Sequence, residues 1–187
     1  FQSVTITGFI PILRDTLDVI ISGAFKSFML SMLAIAALLV LFFRTIREGV
    51  LSMLPNVMPV LLVLMLVSVL GIALDMLTIM VGTLIIGVVV DDTIHFIANF
   101  RAGIAAGMTP ADACEHTLST SGHAMLVTTL VLAGAFSVMW ISELQNLNLF
   151  AMLSSGILLL GLLADYILMP AIMQWLYRDW KPSEAET

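Results

Sequence analysis

Two adjacent carboxylates and a histidine lie within one long apolar stretch of this sequence. The stretch covers about residues 78–100 and carries Asp91, Asp92 and His95. A charged side chain at the centre of a bilayer costs about 2.5 to 3.5 kcal/mol on insertion scales, so residues of this kind need a functional or structural reason. Burial and a neighbouring like charge allow a carboxyl group to bind and release a proton near neutral pH. The three residues therefore predict a proton relay.

The same stretch carries polar or small residues at intervals of four. They are Thr83, Gly87, Asp91, His95 and Asn99. Residues four apart share one face of a helix, so we expect a polar track that faces the protein interior rather than lipid. His95 also lies within reach of Asp92 at i+3. A second interpretation stays open, because the acids precede Arg101 by about ten residues and could be solvated near the inner end of the span.

Further residues are candidates to support the acids. Thr128 and Thr129 lie in a later apolar stretch, and hydroxyl groups commonly link membrane helices, although each could instead bond to a carbonyl of its own helix. Asp165 is a third acid in an apolar stretch and precedes a helix-distorting Pro170. We expect Asp165 to face inward and to form a structural hydrogen bond, with a direct role in transport as the alternative. The supporting residues are therefore Gly87, Thr128, Thr129 and Asp165.

The overall composition excludes an ordinary soluble enzyme. Of 187 residues, 60% are hydrophobic and 11% are charged, and the mean hydropathy is +1.11. Charged residues at this density cannot cover a water-facing surface, so much of the surface must face lipid. The 7 Lys and Arg against 13 Asp and Glu give a net charge of -6 without a basic patch, which argues against a nucleic-acid partner.

Candidate metal ligands occur together without a known ligand spacing. Cys114, Glu115, His116 and His123 are close in sequence, but neither CxxC nor HExxH is present. We therefore expect no metal site, no catalytic residues and no cofactor, with protons as the coupling ion.

Five apolar stretches are long enough, or nearly so, to cross about 30 Å of hydrocarbon as helices. They cover about residues 27–43, 50–74, 78–100, 125–142 and 149–177. This pattern predicts an all-α polytopic membrane protein. Its transmembrane domain covers residues 25–180, between an extracytoplasmic lead-in over residues 1–24 and a cytoplasmic tail over residues 181–187.

Positive charges predict the orientation, because loops rich in Lys and Arg stay in the cytoplasm. On one side of the predicted spans lie Arg44, Arg47, Arg101, Arg178 and Lys181. The short loops on the other side, about residues 73–77 and 143–148, contain neither residue type. We therefore expect a cytoplasmic C-terminus, and Arg14 and Lys26 in the lead-in are the contrary charges.

Two connecting segments have informative patterns. Residues 1–9 show partial alternation and contain β-branched side chains, which fits the end of a strand. A strand this short cannot be stable alone, so we expect it to belong to an external domain. Thr109, Pro110 and Asp112 form an N-cap pattern. This pattern predicts a short amphipathic helix at the cytoplasmic interface.

Three motifs resemble one family of membrane transporters. The segment GVVVDDTIHF from Gly87 to Phe96 resembles the GxxxDD motif of resistance-nodulation-division (RND) transporters, especially the branch of hydrophobe exporters, MmpL lipid transporters and Patched-like sterol-sensing proteins. The segment LPNVMP over residues 54–59 resembles the PNxxP start of a span in that branch. ADY at residues 164–166 with MP at residues 169–170 resembles its closing helix. The chain departs from the pattern at Val89, where many relatives carry a second glycine.

The resemblance implies the C-terminal transmembrane half of a proton-motive-force-driven exporter. RND transporters have twelve spans in two similar halves, each with a large external domain after its first span. The five spans here would be spans 8–12, and residues 1–9 would be the last strand of the second external domain. Asp91 and Asp92 would conduct protons inward and drive export of lipids or other hydrophobic or amphiphilic compounds across the bacterial inner membrane.

The resemblance also implies partners and favours one branch of the family. The partners would be membrane lipids, a hydrophobic substrate and the N-terminal half of the transporter, in the same or a companion chain, and a homo-oligomer stays open. Drug exporters of the family place a lysine on this later helix, whereas this chain carries Asp91 and Asp92. The lipid and hydrophobe branch is therefore the better fit.

Two alternatives from other classes stay open. One is a sterol-sensing-like module that binds lipid without turnover, which would not need the pair Asp91 and Asp92. The other is a protein-translocation auxiliary resembling SecD or SecF, which share the fold and use protons. Long external domains upstream of residue 1 would favour the exporter.

Overall fold

The computed structural model describes residues 9–43, 45–72 and 76–178, which form a bundle of helices. The α-helices are α1 (Phe9–Phe43), α2 (Ile46–Leu51), α3 (Leu54–Val69), α4 (Met76–Ala105), α5 (Pro110–Thr117), α6 (His123–Val138) and α7 (Gln145–Leu176). A π-helical turn, Leu118–Gly122, joins α5 to α6, and a 3-10 turn, Met139–Ile141, follows α6. No β-strand occurs in these ranges, and the strand predicted over residues 1–9 lies outside them except for Phe9, which begins α1.

The prediction of an all-α protein with five membrane spans is confirmed. The helical segments long and apolar enough to cross a membrane are Arg14–Phe43, Ile46–Val69, Met80–Ala105, Pro110–Ile141 and Gln145–Leu176. The first is longer than predicted, because α1 continues through much of the segment interpreted as a lead-in.

The amphipathic helix predicted after Thr109 is present as α5. Thr109 Oγ1 accepts a hydrogen bond from the Asp112 backbone N–H at 3.2 Å, which is the expected N-cap. α5 continues through the π-helical turn into α6, so it forms the first part of the fourth apolar helix rather than a separate element.

α7 lies at the centre of the bundle and packs against α3, α4 and α6. Lipid is as apolar as the protein core, so helix association in membranes depends on close packing rather than on the hydrophobic effect. Gly161 on α7 provides such an approach: a Cβ atom there would lie 3.0 Å from both methyl groups of Val89 on α4. The close approach of α4 and α7 at Val89 is therefore provided by Gly161 on α7.

Many large apolar side chains are exposed on the outside of the bundle. Leu33 and Leu41 on α1, Val69 on α3 and Val131 on α6 are each more than half exposed. A surface of this kind is stable against lipid chains and unfavourable in water. The exposed apolar surface therefore agrees with the span assignment.

Candidate functional site

The two faces of α4 have different environments. Over the residues whose side chains the structure describes, its buried face carries apolar side chains and the hydroxyl of Thr93. Its other face carries Gly87, Asp91, His95 and Asn99, all exposed in this chain. The polar stripe, expected to face the protein interior, is therefore not covered by the other described helices of this chain. The physical reason is that the apolar residues between the stripe positions pack against α3 and α7 and turn the stripe outward.

The polar stripe borders an open groove between α4, the π-helical turn and α6. The groove has a volume of about 380 Å³. Its lining is formed by Asp91, Asp92, His95, Asn99, Thr120, Ser121, Ala124, Met125 and Thr128. Thr83, the first residue of the predicted stripe, lines a separate apolar cavity between α1 and α4. The three residues of the predicted proton relay therefore share one groove, whereas Thr83 does not belong to it.

Asp91 and His95 form a loose pair on the groove wall. His95 Nε2 lies 3.8 Å from Asp91 Oδ1, and the two side chains are 65% and 72% exposed, respectively. An exposed pair one helical turn apart contributes little to stability. His95 thus approaches Asp91 at i+4, and it also interacts electrostatically with Asp92 at i+3.

Asp92 is partly buried and is tied to α6. Thr129 Oγ1 donates a hydrogen bond to Asp92 Oδ2 at 3.3 Å across the interface between α4 and α6. Thr128 also lines the groove but bonds to its own helix, with Oγ1 at 3.1 Å from the Ala124 carbonyl and 3.0 Å from the Met125 carbonyl. The cross-helix hydrogen bond expected for both threonines is therefore formed by Thr129, and the intrahelical alternative holds for Thr128.

The π-helical turn forms part of the groove wall between α4 and α6. Asn99 Nδ2 donates to Ser121 Oγ in this turn and to the His95 carbonyl at 3.1 Å. Gly122 allows close approach of α7, since a Cβ there would lie 2.8 Å from the Tyr166 hydroxyl. π-helical turns are frequent at functional sites, and this one brings Ser121 onto the groove wall.

A buried polar cluster lies on the opposite side of α4, and the sequence reasoning did not identify it. Thr93 Oγ1 lies 3.1 Å from Asn56 Oδ1 on α3 and 2.9 Å from Asp165 Oδ1 on α7. Asn56 Nδ2 donates to the Ser52 carbonyl at 2.9 Å. All three side chains are 0% exposed. Asp165 therefore faces inward and is hydrogen-bonded, as expected, and its partner in the structure is Thr93.

The signals for this cluster were present in the motifs. Asn56 lies in the PNxxP pattern, and Thr93 follows the two acids directly. Nothing in the local sequence shows that the two face each other, because their contact depends on how α3 packs against α4.

The candidate metal ligands do not converge. Within the ranges that the structure describes, no three His, Cys, Asp or Glu side chains are close enough to hold a metal ion. Cys114 is buried, and its Sγ lies 3.9 Å from the Pro170 carbonyl oxygen.

Residues 2–186 match the model of the MMPL family. The chain belongs to the MMPL family. No curated protein matches the chain. As an MMPL protein it is an RND-type membrane transporter module. Members of this family are in general transporters and not enzymes. The groove with Asp91, Asp92 and His95 lies on the motif that first suggested this superfamily.

Proposed function

We propose that this MMPL chain is the C-terminal transmembrane half of a proton-driven exporter of lipids or other hydrophobic compounds. The observation that carries this proposal is the placement of Asp92 at the edge of the groove, partly buried and bonded to Thr129 on another helix. A carboxylate in this position can exchange protons with the groove while its charge state affects a helix interface.

The geometry suggests how proton binding would act on the helices. As a carboxylate, Asp92 accepts the hydrogen bond from Thr129 and carries a charge beside Asp91. Binding a proton removes that charge and weakens the charge-assisted hydrogen bond. The attraction between α4 and α6 then decreases, so that cycles of proton binding and release shift these two helices relative to each other. Asp91, on the open side of the groove, delivers the proton to Asp92, and His95 modulates how strongly the pair of carboxyl groups binds it.

The open groove also supports a partner. Asp91 is 72% exposed in this chain, and an exposed carboxylate facing lipid would be unfavourable. The N-terminal half of the transporter, in the same or a companion chain, would cover this face. Membrane lipids would contact the apolar outer surface.

Basic residues at one end of the bundle support the proposed orientation. Arg101 Nη1 donates to the Phe42 carbonyl at 2.8 Å, and the Arg47 guanidinium lies 4.7 Å from the centre of the Trp175 ring. These contacts show that the C-terminal ends of α1, α4 and α7 lie at the same end of the bundle as Arg47 and Arg101. By the positive-inside rule this end is cytoplasmic, in the bacterial inner membrane.

An apolar cavity supports a hydrophobic substrate. It has a volume of about 510 Å³ and lies between α1 and α4. Its lining is formed by Val19, Ile20, Gly23, Ala24, Ser27, Met80, Thr83 and Leu84. A cavity with this lining is suited to an acyl chain or another hydrophobic group and offers no charge to recognise a polar solute.

Transport in vesicles tests the proposal. The complete transporter is reconstituted, a pH gradient is imposed, and export of a fluorescent phospholipid is measured for the wild type, Asp92→Asn and Asp112→Asn. Asn keeps the size of Asp but cannot bind and release a proton. We expect Asp92→Asn to abolish gradient-driven export and Asp112→Asn, at the capped start of α5, to retain it. Full export by Asp92→Asn would refute proton coupling at this site.

The same experiment separates the second candidate function. The apolar cavity also fits a sterol-sensing-like module that binds lipid without turnover. Such a module would bind the fluorescent lipid equally in the wild type and in Asp92→Asn, and neither would respond to the pH gradient.

A further inference from the structure

Three helices contribute one polar side chain each to the buried cluster described above. Asn56 comes from α3, Thr93 from α4 and Asp165 from α7, and their oxygen atoms lie in the order Asn56 Oδ1, Thr93 Oγ1, Asp165 Oδ1. The two contact distances, 3.1 Å and 2.9 Å, are both within hydrogen-bond range.

The hydrogen atoms of this cluster can be counted. The Ser52 carbonyl is only an acceptor, so the Asn56 atom that faces it must be the NH₂ group, and the atom that faces Thr93 must be the carbonyl oxygen. The Thr93 hydroxyl has a single hydrogen and can donate to one neighbour. The contacts of Thr93 with Asn56 and with Asp165 can both be hydrogen bonds only if the carboxyl group of Asp165 carries a hydrogen.

We propose that Asp165 is a second proton-binding carboxyl group in this bundle and that the Thr93 hydroxyl couples its proton to Asn56. In the proposed arrangement a protonated Asp165 donates through Oδ1 to Thr93 Oγ1, and the Thr93 hydroxyl donates to Asn56 Oδ1. One bound proton thus completes a chain of hydrogen bonds across three helices.

The surroundings of Asp165 favour the protonated form. Its side chain is 0% exposed, and among the described residues its Oδ2 has no hydrogen-bond partner. An ionised carboxylate would therefore be buried with a single donor, which is costly in a medium that lacks water.

The polar and ionisable groups near Asp165 also favour its protonated form. From α4, the negative charge of Asp92 acts on Asp165 and opposes a second charge. α3 supplies the neutral Asn56, and the thiol of Cys114 on α5 is directed to the Pro170 carbonyl rather than to Asp165. The neighbouring Tyr166 on α7 directs its hydroxyl to Gly122. None of these groups, as the structure describes them, places a positive charge against the carboxyl group.

Loss of the proton has a structural consequence. The Thr93 hydroxyl would turn to donate to the Asp165 carboxylate, and Asn56 Oδ1 would lose its donor in a buried position. A buried acceptor without a donor is unfavourable. The proton on Asp165 therefore controls the hydrogen bond that links α3 to α4. Its role in export rests on the proposed function, whereas the proton binding itself does not.

Infrared spectroscopy of the complete transporter in lipid vesicles tests the proposal. The carbonyl stretching band of a protonated carboxyl group is recorded near neutral pH in H₂O and D₂O for the wild type, Asp165→Asn and Asp92→Asn. We expect one carboxylic acid band in the wild type to be lost in Asp165→Asn and retained in Asp92→Asn. Identical carboxylic acid bands in the wild type and Asp165→Asn would overturn the proposal.

Two conservative substitutions of Thr93 provide a second measurement. This measurement does not depend on whether Asp165→Asn folds. Thr93→Val removes the hydroxyl at similar size, and Thr93→Ser keeps it. We expect the band to shift in Thr93→Val, because Asp165 loses its acceptor, and to stay in place in Thr93→Ser. An unshifted band in Thr93→Val would contradict the proposed chain of hydrogen bonds. Normal export by Asp92→Asn would refute the proposed function but would leave these spectra unaffected.

Discussion

Asp92 and Thr93 are neighbours in the chain, yet their side chains serve two different helix interfaces. Asp92 Oδ2 accepts a hydrogen bond from Thr129 on α6, whereas Thr93 Oγ1 contacts Asp165 on α7 at 2.9 Å. Successive residues on a helix are separated by roughly 100°, so two adjacent positions are enough to connect α4 with both partners. A small rotation of α4 would change both contacts together.

The first prediction concerns the hydrogen bond between Thr129 and Asp92. Thr129→Val removes the donor at nearly constant size and is expected to destabilise the bundle by about 1 kcal/mol and to reduce gradient-driven export. Thr128→Val is the matched control, because Thr128 lines the same groove but its hydroxyl bonds to the carbonyl groups of Ala124 and Met125 on its own helix. The measurements are thermal unfolding in detergent and export in vesicles. Equal losses in both variants would show that the cross-helix bond has no special role.

The second prediction concerns the contact between Gly161 and Val89. Gly161→Val forces a branched side chain against Val89 on α4, and overpacking of this kind costs about 1–3 kcal/mol. Gly156→Val is the control, since a Cβ there has no atom within 4 Å. We expect a lower unfolding temperature for Gly161→Val than for Gly156→Val, with partial recovery in the double variant Gly161→Val, Val89→Ala. Failure of Val89→Ala to recover stability would contradict the assigned contact.

The third prediction concerns the apolar cavity between α1 and α4. Gly23 lines the cavity, and a Cβ there has no atom within 4 Å, so Gly23→Leu is expected to fill the space without a clash. The KM for lipid export should then increase, because the added side chain occupies volume that the substrate would fill. The proton-coupling site is not changed. Gly134→Leu, also in open surroundings, serves as the control. An unchanged KM for Gly23→Leu would exclude this cavity as a substrate site.

The fourth prediction concerns orientation in the membrane. In a Cys114→Ala background, a cysteine replaces Glu143 in one variant and Arg47 in another, and intact cells are treated with an impermeant thiol reagent. Glu143 follows the 3-10 turn after α6, whereas Arg47 lies near Trp175 at the opposite end of the bundle. We expect labelling at position 143 and protection at position 47. The reverse pattern would invert the proposed topology.

Local signals in the sequence predicted the number of apolar helices and one helix cap, but not the full length of α1. The five apolar stretches predicted five spans because the length of a membrane helix depends on the thickness of hydrocarbon and not on neighbouring helices. The N-cap at Thr109 was predicted correctly for a similar reason, since it involves only Asp112, three residues away. The acids Asp91 and Asp92 were identified as candidates from their type and their apolar surroundings alone.

Tertiary packing decided which side chains meet. Both faces of α4 have helical spacing, so periodicity could not show that the face with Asp91 and His95 is exposed and that the face with Thr93 is buried. Thr128 and Thr129 are chemically identical, and only the rotation of α6 against α4 directs Thr129 to Asp92. The contact from Thr93 to Asp165 joins positions 72 residues apart. Such contacts depend on how whole helices pack, which no local pattern of residues encodes.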